Sequence, residues 1–340
     1  MAKRKIPVVV VAGFLGSGKT TLLNHLLRNT RGARIGVIVN DFGSVNIDSM
    51  MVAGQVDSMV SLSNGCLCCV VDVSDMDAML DKLAHPRSDL DVIVVEASGL
   101  AEPRNMIRLV VSSENEHITY GGLVLVVDAY EFDATRERHP ELDQHVAMAD
   151  LILLNKTDRV DTDTHDDLLG RLCGLNARAA VVSTDHGRVD PGLLFDFSER
   201  AEPRPGQQLT LDDLLREHDE HDHRHLHDGY DSITFESDAP LHPRALVDLL
   251  ENQPAGVFRI KGYVTVTAGL RSTTYLLQTV GDHIRFETPG RGDDVPGTTQ
   301  LVVIGADLES DSVREQLSRC VAGEPVSADA MYAVHRFTPR

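Results

Sequence analysis

At 340 residues with 42 % apolar content, the chain is long enough for two domains with cores of their own. Fifty-two acidic residues against 32 basic ones leave a formal charge of −20. Together with the absence of Trp and an aromatic content of 4 %, this excludes sequence-independent nucleic-acid binding and base-stacking platforms as working readings.

The chain opens on Lys3-Arg4-Lys5 and an apolar run, which imitates a signal peptide. Cleavage there would remove a strand that leads into Gly13-Phe14-Leu15-Gly16-Ser17-Gly18-Lys19-Thr20, so a cytoplasmic protein is expected instead. No other stretch approaches the roughly 18 apolar residues of a membrane span. The octapeptide is a complete G-x-x-x-x-G-K-[ST] phosphate loop. Residues 6–11 before it are apolar and β-branched. After Thr21, residues Leu22, Leu23, Leu26 and Leu27 share a helical face. Glycines let successive backbone N–H groups converge on one anion. The helix N-terminus favours negative charge there, Lys19 reaches the β- and γ-phosphates, and Thr20 offers a hydroxyl to Mg²⁺.

Residues 35–39 read as a second strand, followed by a polar loop with Asp41 and Asp48. Residues 59–62 read as a short strand leading into Asn64-Gly65-Cys66-Leu67-Cys68-Cys69, and 70–83 as a helix. Residues 91–96, 123–127 and 151–154 are continuous apolar strands. Such runs, separated by helical stretches, predict a mostly parallel sheet with helices on both faces, an α/β fold whose ligands gather at the carboxyl ends of the strands. Five polar constellations fall at those ends: the phosphate loop, Asp41 with Ser44, the cysteine run, Glu96-Ala97-Ser98-Gly99, and Asn155-Lys156-Thr157-Asp158.

N-K-x-D after an apolar strand reads guanine. Asp158 can accept two hydrogen bonds from guanine N1–H and N2–H₂, and adenine lacks that donor pair. A buried carboxylate left unpaired would cost roughly 1–3 kcal/mol or more. Lys156 can lay its stem over the base. The nucleotide-binding residues are therefore Gly13, Gly16, Ser17, Gly18, Lys19, Thr20, Thr21, Asn155, Lys156 and Asp158, with Lys19 and Glu96 as the catalytic pair. Glu96 is placed to hold Mg²⁺ directly or through water. No glutamine near Gly99 orients a water and no arginine is obviously poised, so slow intrinsic hydrolysis is expected.

Three of the five cysteines lie within four positions, which in a reducing compartment points to metal rather than disulfides. The thiolates of Cys66, Cys68 and Cys69 suit zinc, with cobalt as the alternative. One turn does not close a tetrahedral shell, so a fourth ligand comes from elsewhere: Asp41, His25 or a client group. Cys173 and Cys320 are isolated and read as buried small hydrophobes.

Composition changes near Ser198. A linker over 201–231 carries five histidines within residues 218–227, with the appearance of a low-affinity metal-collecting segment. Residues 232–320 read as a small α+β domain with strands at 233–235, 257–266, 273–280 and 301–304 and helices at 243–250 and 312–317. Residues 321–340 are set apart as a tail.

The phosphate loop continuing into Thr21-Leu22-Leu23-Asn24, the C-x-C-C run, Glu96-Ala97-Ser98-Gly99-Leu100-Ala101-Glu102-Pro103 and Asn155–Asp158 together resemble the CobW-like P-loop GTPases. Beyond them, the His-rich linker, Phe258-Arg259-Ile260-Lys261-Gly262-Tyr263 and Leu301-Val302-Val303-Ile304-Gly305 resemble that family's C-terminal domain. The resemblance implies a GTP-dependent metallochaperone that delivers its ion to a client apo-metalloprotein, with the second-strand loop and the cysteine run acting as switches. It involves no nucleic acid and no membrane, and leaves oligomer formation open. The chain departs from the family's acidic loop in carrying Asp41 and Ser44 where glutamates are usual, and Ser61 before the cysteine run. This removes accessory carboxylates at 44 and 61. A metal-storage or regulatory protein that uses GTP only as a ligand is the rival reading, with a small-molecule kinase behind it.

Overall fold

The computed structural model describes residues 5–30, 33–39, 58–61, 73–85, 88, 90–97, 99, 102–195, 230–269, 271–289, 295–323 and 326–338. Asp41, Cys66, Cys68, Cys69 and the histidines of 218–227 lie outside them.

Seven strands form one sheet: β1 (Ile6–Ala12), β2 (Ile35–Val39), β3 (Ser58–Ser61), β4 (Val92–Glu96), β5 (Ile118–Asp128), β6 (Leu151–Asn155) and β7 (Ala180–Ser183). Their order is β3-β2-β4-β1-β5-β6-β7, and every pair is parallel. The apolar runs are continuous because both faces are covered. Val8 and Val10 of β1, Ile93 and Val95 of β4, and Ile152 and Leu154 of β6 face one core. That core is closed by α2 (Val73–Leu83), α3 (Pro103–Val111), α4 (Phe132–Arg138), α5 (Leu142–Met148) and α6 (Thr162–Leu175). Val9, Val11, Val92, Val94, Leu151 and Leu153 face the other, against α1 (Lys19–Arg28) and α7 (Pro191–Leu194). Leu22, Leu23 and Leu26 of α1 are fully buried, each contributing about 1.5–3 kcal/mol.

The second domain is an antiparallel sheet in the order β11-β10-β9-β12-β8. Its strands are β8 (Asp231–Ser237), β9 (Val257–Ala268), β10 (Arg271–Val280), β11 (His283–Glu287) and β12 (Thr299–Gly305). One core of this domain packs α8 (Pro243–Glu251), α9 (Ser310–Arg319) and α10 (Met331–His335) on the sheet. The segment set apart as a tail is therefore part of that core: Val334 is fully buried in it, and Phe337 packs against it. A five-residue helix carries too little periodicity to be seen in the sequence, and its place is set by what it packs on. The strands β7 and β11 and the helices α3 to α7 also went unread.

The two domains share a core. Phe258, Val280, Ile304 and Ala306 of the second join the α1-side cluster of the first. At Gly122 (φ 109) a Cβ would stand 2.6 Å from Val280 Cγ1, so glycine lets the sheets meet where β5 bulges against β1. Arg285 Nη1 donates to Thr119 Oγ1 (3.3 Å), and Arg178 pairs with Asp282 (2.6 Å). At the same junction Asp150 accepts from Tyr120 Oη–H (2.6 Å) and Leu123 N–H (2.8 Å). Burial, reinforced by nearby Asp282, pushes the Asp150 carboxyl up to about 6, and burial raises the Tyr120 phenol as well.

Candidate nucleotide site

The site is built at the carboxyl edge of the parallel sheet, where β1, β4, β5, β6 and β7 end. The phosphate loop departs from β1 with Gly13, Gly16 and Gly18 at positive φ (146°, 79° and 109°). A Cβ at Gly13 would stand 2.3 Å from Val126 O, and one at Gly18 would stand 2.2 Å from Asn155 Nδ2. Both glycines are needed for close approach, whereas Gly16 faces open space. Gly18 caps α1, so the first turn of a ten-residue helix points its N–H groups into the loop.

Lys19 is buried, and its Nζ donates to Gly13 O (2.9 Å) and Phe14 O (3.1 Å). Its charge is thus held against the loop's own carbonyls. Ser17 is also buried, and its Oγ has no hydrogen-bond partner among the described residues. Thr20 Oγ1 donates to Glu96 Oε1 (3.1 Å), and Glu96 is only 3 % exposed. A hydroxyl in the first turn of α1 and a carboxylate at the end of β4 are hard oxygen donors of the kind Mg²⁺ takes. Thr21 is exposed at the helix start. After β4, Ala97 is tied to β1 and Gly99 is packed on the loop. Ala97 N–H donates to Val11 O (2.9 Å), and Gly99 lies against Leu15 so closely that a Cβ there would be 2.8 Å from it.

On the other side, Asn155 is buried and acts as a bridge. Its Nδ2 donates to Ser17 O (2.8 Å), and its Oδ1 accepts from Gly187 N–H (3.0 Å). One side chain therefore ties β6 to the phosphate loop and to the loop after β7. Residues 184–188 of that loop went unread in the sequence. Thr157 N–H (3.3 Å) and Oγ1–H (3.1 Å) both donate to Thr184 O, and Gly187 (φ 64) comes close enough to Leu22 N that a Cβ would stand 2.8 Å from it. The short apolar run Ala179-Ala180-Val181-Val182 before this loop, also unread, is the signal that could have marked a strand end there.

Asp128, at the end of β5, is the second residue the sequence reading missed. Its Oδ2 accepts from Lys156 Nζ (2.5 Å), and its Oδ1 accepts from the N–H groups of Tyr130 (3.0 Å) and Glu131 (3.2 Å). Lys156 itself has φ 63, a left-handed conformation that costs a non-glycine residue roughly 1–2 kcal/mol and is held here by its surroundings. Asp158 is exposed rather than buried. The penalty for an unpaired Asp158 therefore arises only when a base covers it.

His25, a suggested metal ligand, has both ring nitrogens engaged, Nε2 with Val189 O (2.9 Å) and Nδ1 with Asn29 Nδ2 (3.1 Å). Cys320 is buried, as expected, and its thiol is pushed up to about 11, chiefly by burial. Cys173 is exposed, contrary to expectation: α6 turns Leu168 and Leu172 inward, and position 173 falls off that face. Among the described residues no three His, Cys, Asp or Glu side chains come together as a metal site. No helix among them is long and apolar enough to cross a membrane.

Strand, glycine loop and helix at the switch point of a parallel sheet define a P-loop nucleotide-binding protein. Residues 7–183 match the CobW/HypB/UreG nucleotide-binding domain, and residues 230–321 match the cobalamin synthesis protein cobW C-terminal domain; the chain belongs to this family. It is 30 % identical to a zinc chaperone CobW of Sinorhizobium sp over 93 % of this chain and 98 % of that one. It is 32 % identical to a zinc chaperone CobW of Pseudomonas aeruginosa, over 94 % and 92 %. Among solved structures, Zn(II)-bound YjiA GTPase from E. coli matches 94 % of this chain and 100 % of its own, at 26 % identity and a TM-score of 0.45.

Proposed function

We propose that this protein is a GTP-hydrolysing metallochaperone that binds zinc through Cys66, Cys68 and Cys69 and hands it to a client apo-metalloprotein. The observation that carries the nucleotide half is the Asn155 bridge, which makes the phosphate loop and the N-K-x-D loop one rigid unit. The metal half rests on the cysteine run and on two relatives named zinc chaperones that align over nearly the whole chain.

The loop amides of residues 16–20 cradle the β- and γ-phosphates. Lys19 exchanges its carbonyl partners for phosphate oxygens, and Thr20 with Glu96 holds Mg²⁺. Mg²⁺ supplies neutralisation of the charge that builds on the phosphates. Asp158 selects guanine, and Asn155 keeps the base loop in register with the phosphate loop. Hydrolysis is slow without an added factor, since the sequence offers neither a water-orienting glutamine nor an obvious arginine. Thiolates favour zinc by availability over cobalt, and Asp41 is the candidate fourth ligand within the chain. Nucleotide and metal are linked by coupling of about 1–3 kcal/mol, well below the apparent binding energy of a structural zinc site, about 10–16 kcal/mol. Hydrolysis therefore loosens the ion, and an acceptor with competing ligands completes release.

The test loads the full chain with Co²⁺ and with Zn²⁺. Cobalt is expected to give thiolate-to-metal charge-transfer absorption, lost in Cys66→Ala, Cys68→Ala and Cys69→Ala. Zinc transfer to a chromogenic chelator is expected to run faster with GTP than with a non-hydrolysable analogue. Absence of the charge-transfer band removes the metal site. Equal transfer rates, or no multiple-turnover GTP hydrolysis, turn the protein into a metal store that uses GTP as a ligand.

A further inference from the structure

We propose that Asp128 is a positioning residue of the base pocket: it fixes the stem of Lys156 in place, so that this residue sets nucleotide affinity while Asp158 sets base choice. The proposal rests on the reading of Asn155–Asp158 as the base-binding loop. Strands β5 and β6 are neighbours, and Asp128 stands opposite Asn155 in their register, with Ala129 N–H donating to Asn155 O (2.9 Å). The turn after β5 and the loop after β6 therefore start side by side.

Two contacts then bolt them together. The Asp128 carboxylate is immobilised from one side, because Oδ1 accepts both the Tyr130 and the Glu131 amide. Its remaining oxygen faces the Lys156 ammonium at 2.5 Å, with Asp128 11 % and Lys156 26 % exposed. One step further out, the Arg159 guanidinium lies 4.3 Å over the Tyr130 ring, a cation–π contact on the rim of the same loop. A lysine stem is a flexible four-carbon chain with much rotamer freedom to lose when it is placed against a base. Here the left-handed backbone at Lys156 sets where the stem leaves the chain, and Asp128 holds its end. The cost of ordering it is met before the nucleotide arrives, and binding is tighter for it. Asp128 has no role in telling one purine edge from another, because that edge meets Asp158.

The two functions are separable by experiment on the full chain, using fluorescently tagged GDP, XDP and ADP and stopped-flow dissociation. Asp128→Asn keeps an oxygen for the two turn amides and removes the charge that holds Lys156. It is expected to raise the Kd for GDP about tenfold through faster release, with the GDP-to-XDP preference and the melting temperature unchanged. The loss should be larger in KM for GTP than in kcat, and Asp128→Glu should recover part of it. Asp158→Asn is expected to do the opposite, shifting preference towards XDP. An unaltered GDP release rate in Asp128→Asn, or a shift in its GDP-to-XDP preference, overturns the proposal. Wild type that binds ADP as tightly as GDP would instead defeat the guanine reading, and the Asp128 effect would then be read on both nucleotides.

Discussion

The strand pair β5 and β6 carries an aspartate network at each end, and the two ends differ in kind. At the carboxyl edge, Asp128 meets the Lys156 cation and two amides. At the opposite end, among the described residues Asp150 accepts from neutral donors alone, Tyr120 and Leu123, with Asp282 nearby. The first arrangement satisfies a charge with a charge. The second encloses a carboxyl that resists ionisation. The two networks stand on the order of 17 Å apart along β5, five residues from Leu123 to Asp128. The upper end is organised for a ligand, and its polar groups hold loops. The lower end is organised for the second domain, and its polar groups join sheets. Substitutions above should change nucleotide chemistry with little effect on melting, and substitutions below should do the reverse.

The largest expected effect is at the upper end. Lys19→Ala should lower kcat for GTP about 10²- to 10³-fold, the loss typical of removing one preorganised charge from a transition state. Its circular dichroism melt should stay near that of wild type. A collapse of the melt would show that the phosphate-loop lysine is a structural residue and would blur the division.

At the lower end the sharpest probe is pH. Burial holds Asp150 near 6 in the folded chain against an ordinary 3.8. Between those values the folded form keeps a proton that the unfolded chain has released. This contribution is fully present below about pH 4 and is lost as pH rises through 6. Asp150 keeps part of its surface in water, so the change is at most about 3 kcal/mol. Chemical denaturation between pH 4 and 7 measures it, and Asp150→Asn should remove that part of the slope. An identical slope in the variant would place the proton elsewhere.

A smaller effect is expected at the turn that meets Asp150. Any side chain at Gly281 would place its Cβ 1.8 Å from Asp150 Oδ1, in a backbone at φ 51. Gly281→Val should cost about 1–3 kcal/mol by overpacking, seen as a lower melting temperature with GTP affinity retained. The smallest effect belongs to Arg178→Ala. It breaks the pair with Asp282 and the bond to Glu251 O, but all of this lies in exposed surroundings. A loss of no more than about 1 kcal/mol is expected, and less at high salt.

The same division marks what was legible. That the phosphate loop, Glu96 and Asn155 lie at strand ends along one sheet edge could be read because each belongs to a local pattern attached to a continuous apolar strand. Residues 35–39, 91–96 and 151–154 were readable for the same reason: strands buried on both faces carry no polar alternation to confuse them. Asp128 and residues 184–188 were not legible. An aspartate at a strand end is common, and nothing in its neighbours says that Lys156, 28 positions later, will reach it. Cys173 was misread because its burial depends on which face of α6 the sheet takes, and α6 itself went unread.

By itself, the sequence determined the mostly parallel α/β fold, the phosphate-loop motif, the N-K-x-D motif at the end of β6 and a second α+β domain. These follow from short-range chemistry: glycines at positive φ, β-branched runs, a lysine and threonine at a helix start. Only the tertiary structure decided that Asn155 ties two loops together and that Asp128 holds Lys156. The same is true of Asp150, shut in at the domain junction, and of residues 331–335, which complete the second core. Each of these joins residues far apart in the chain. Their energies come from burial and from partners that exist only once the strands are in register, which no local pattern encodes.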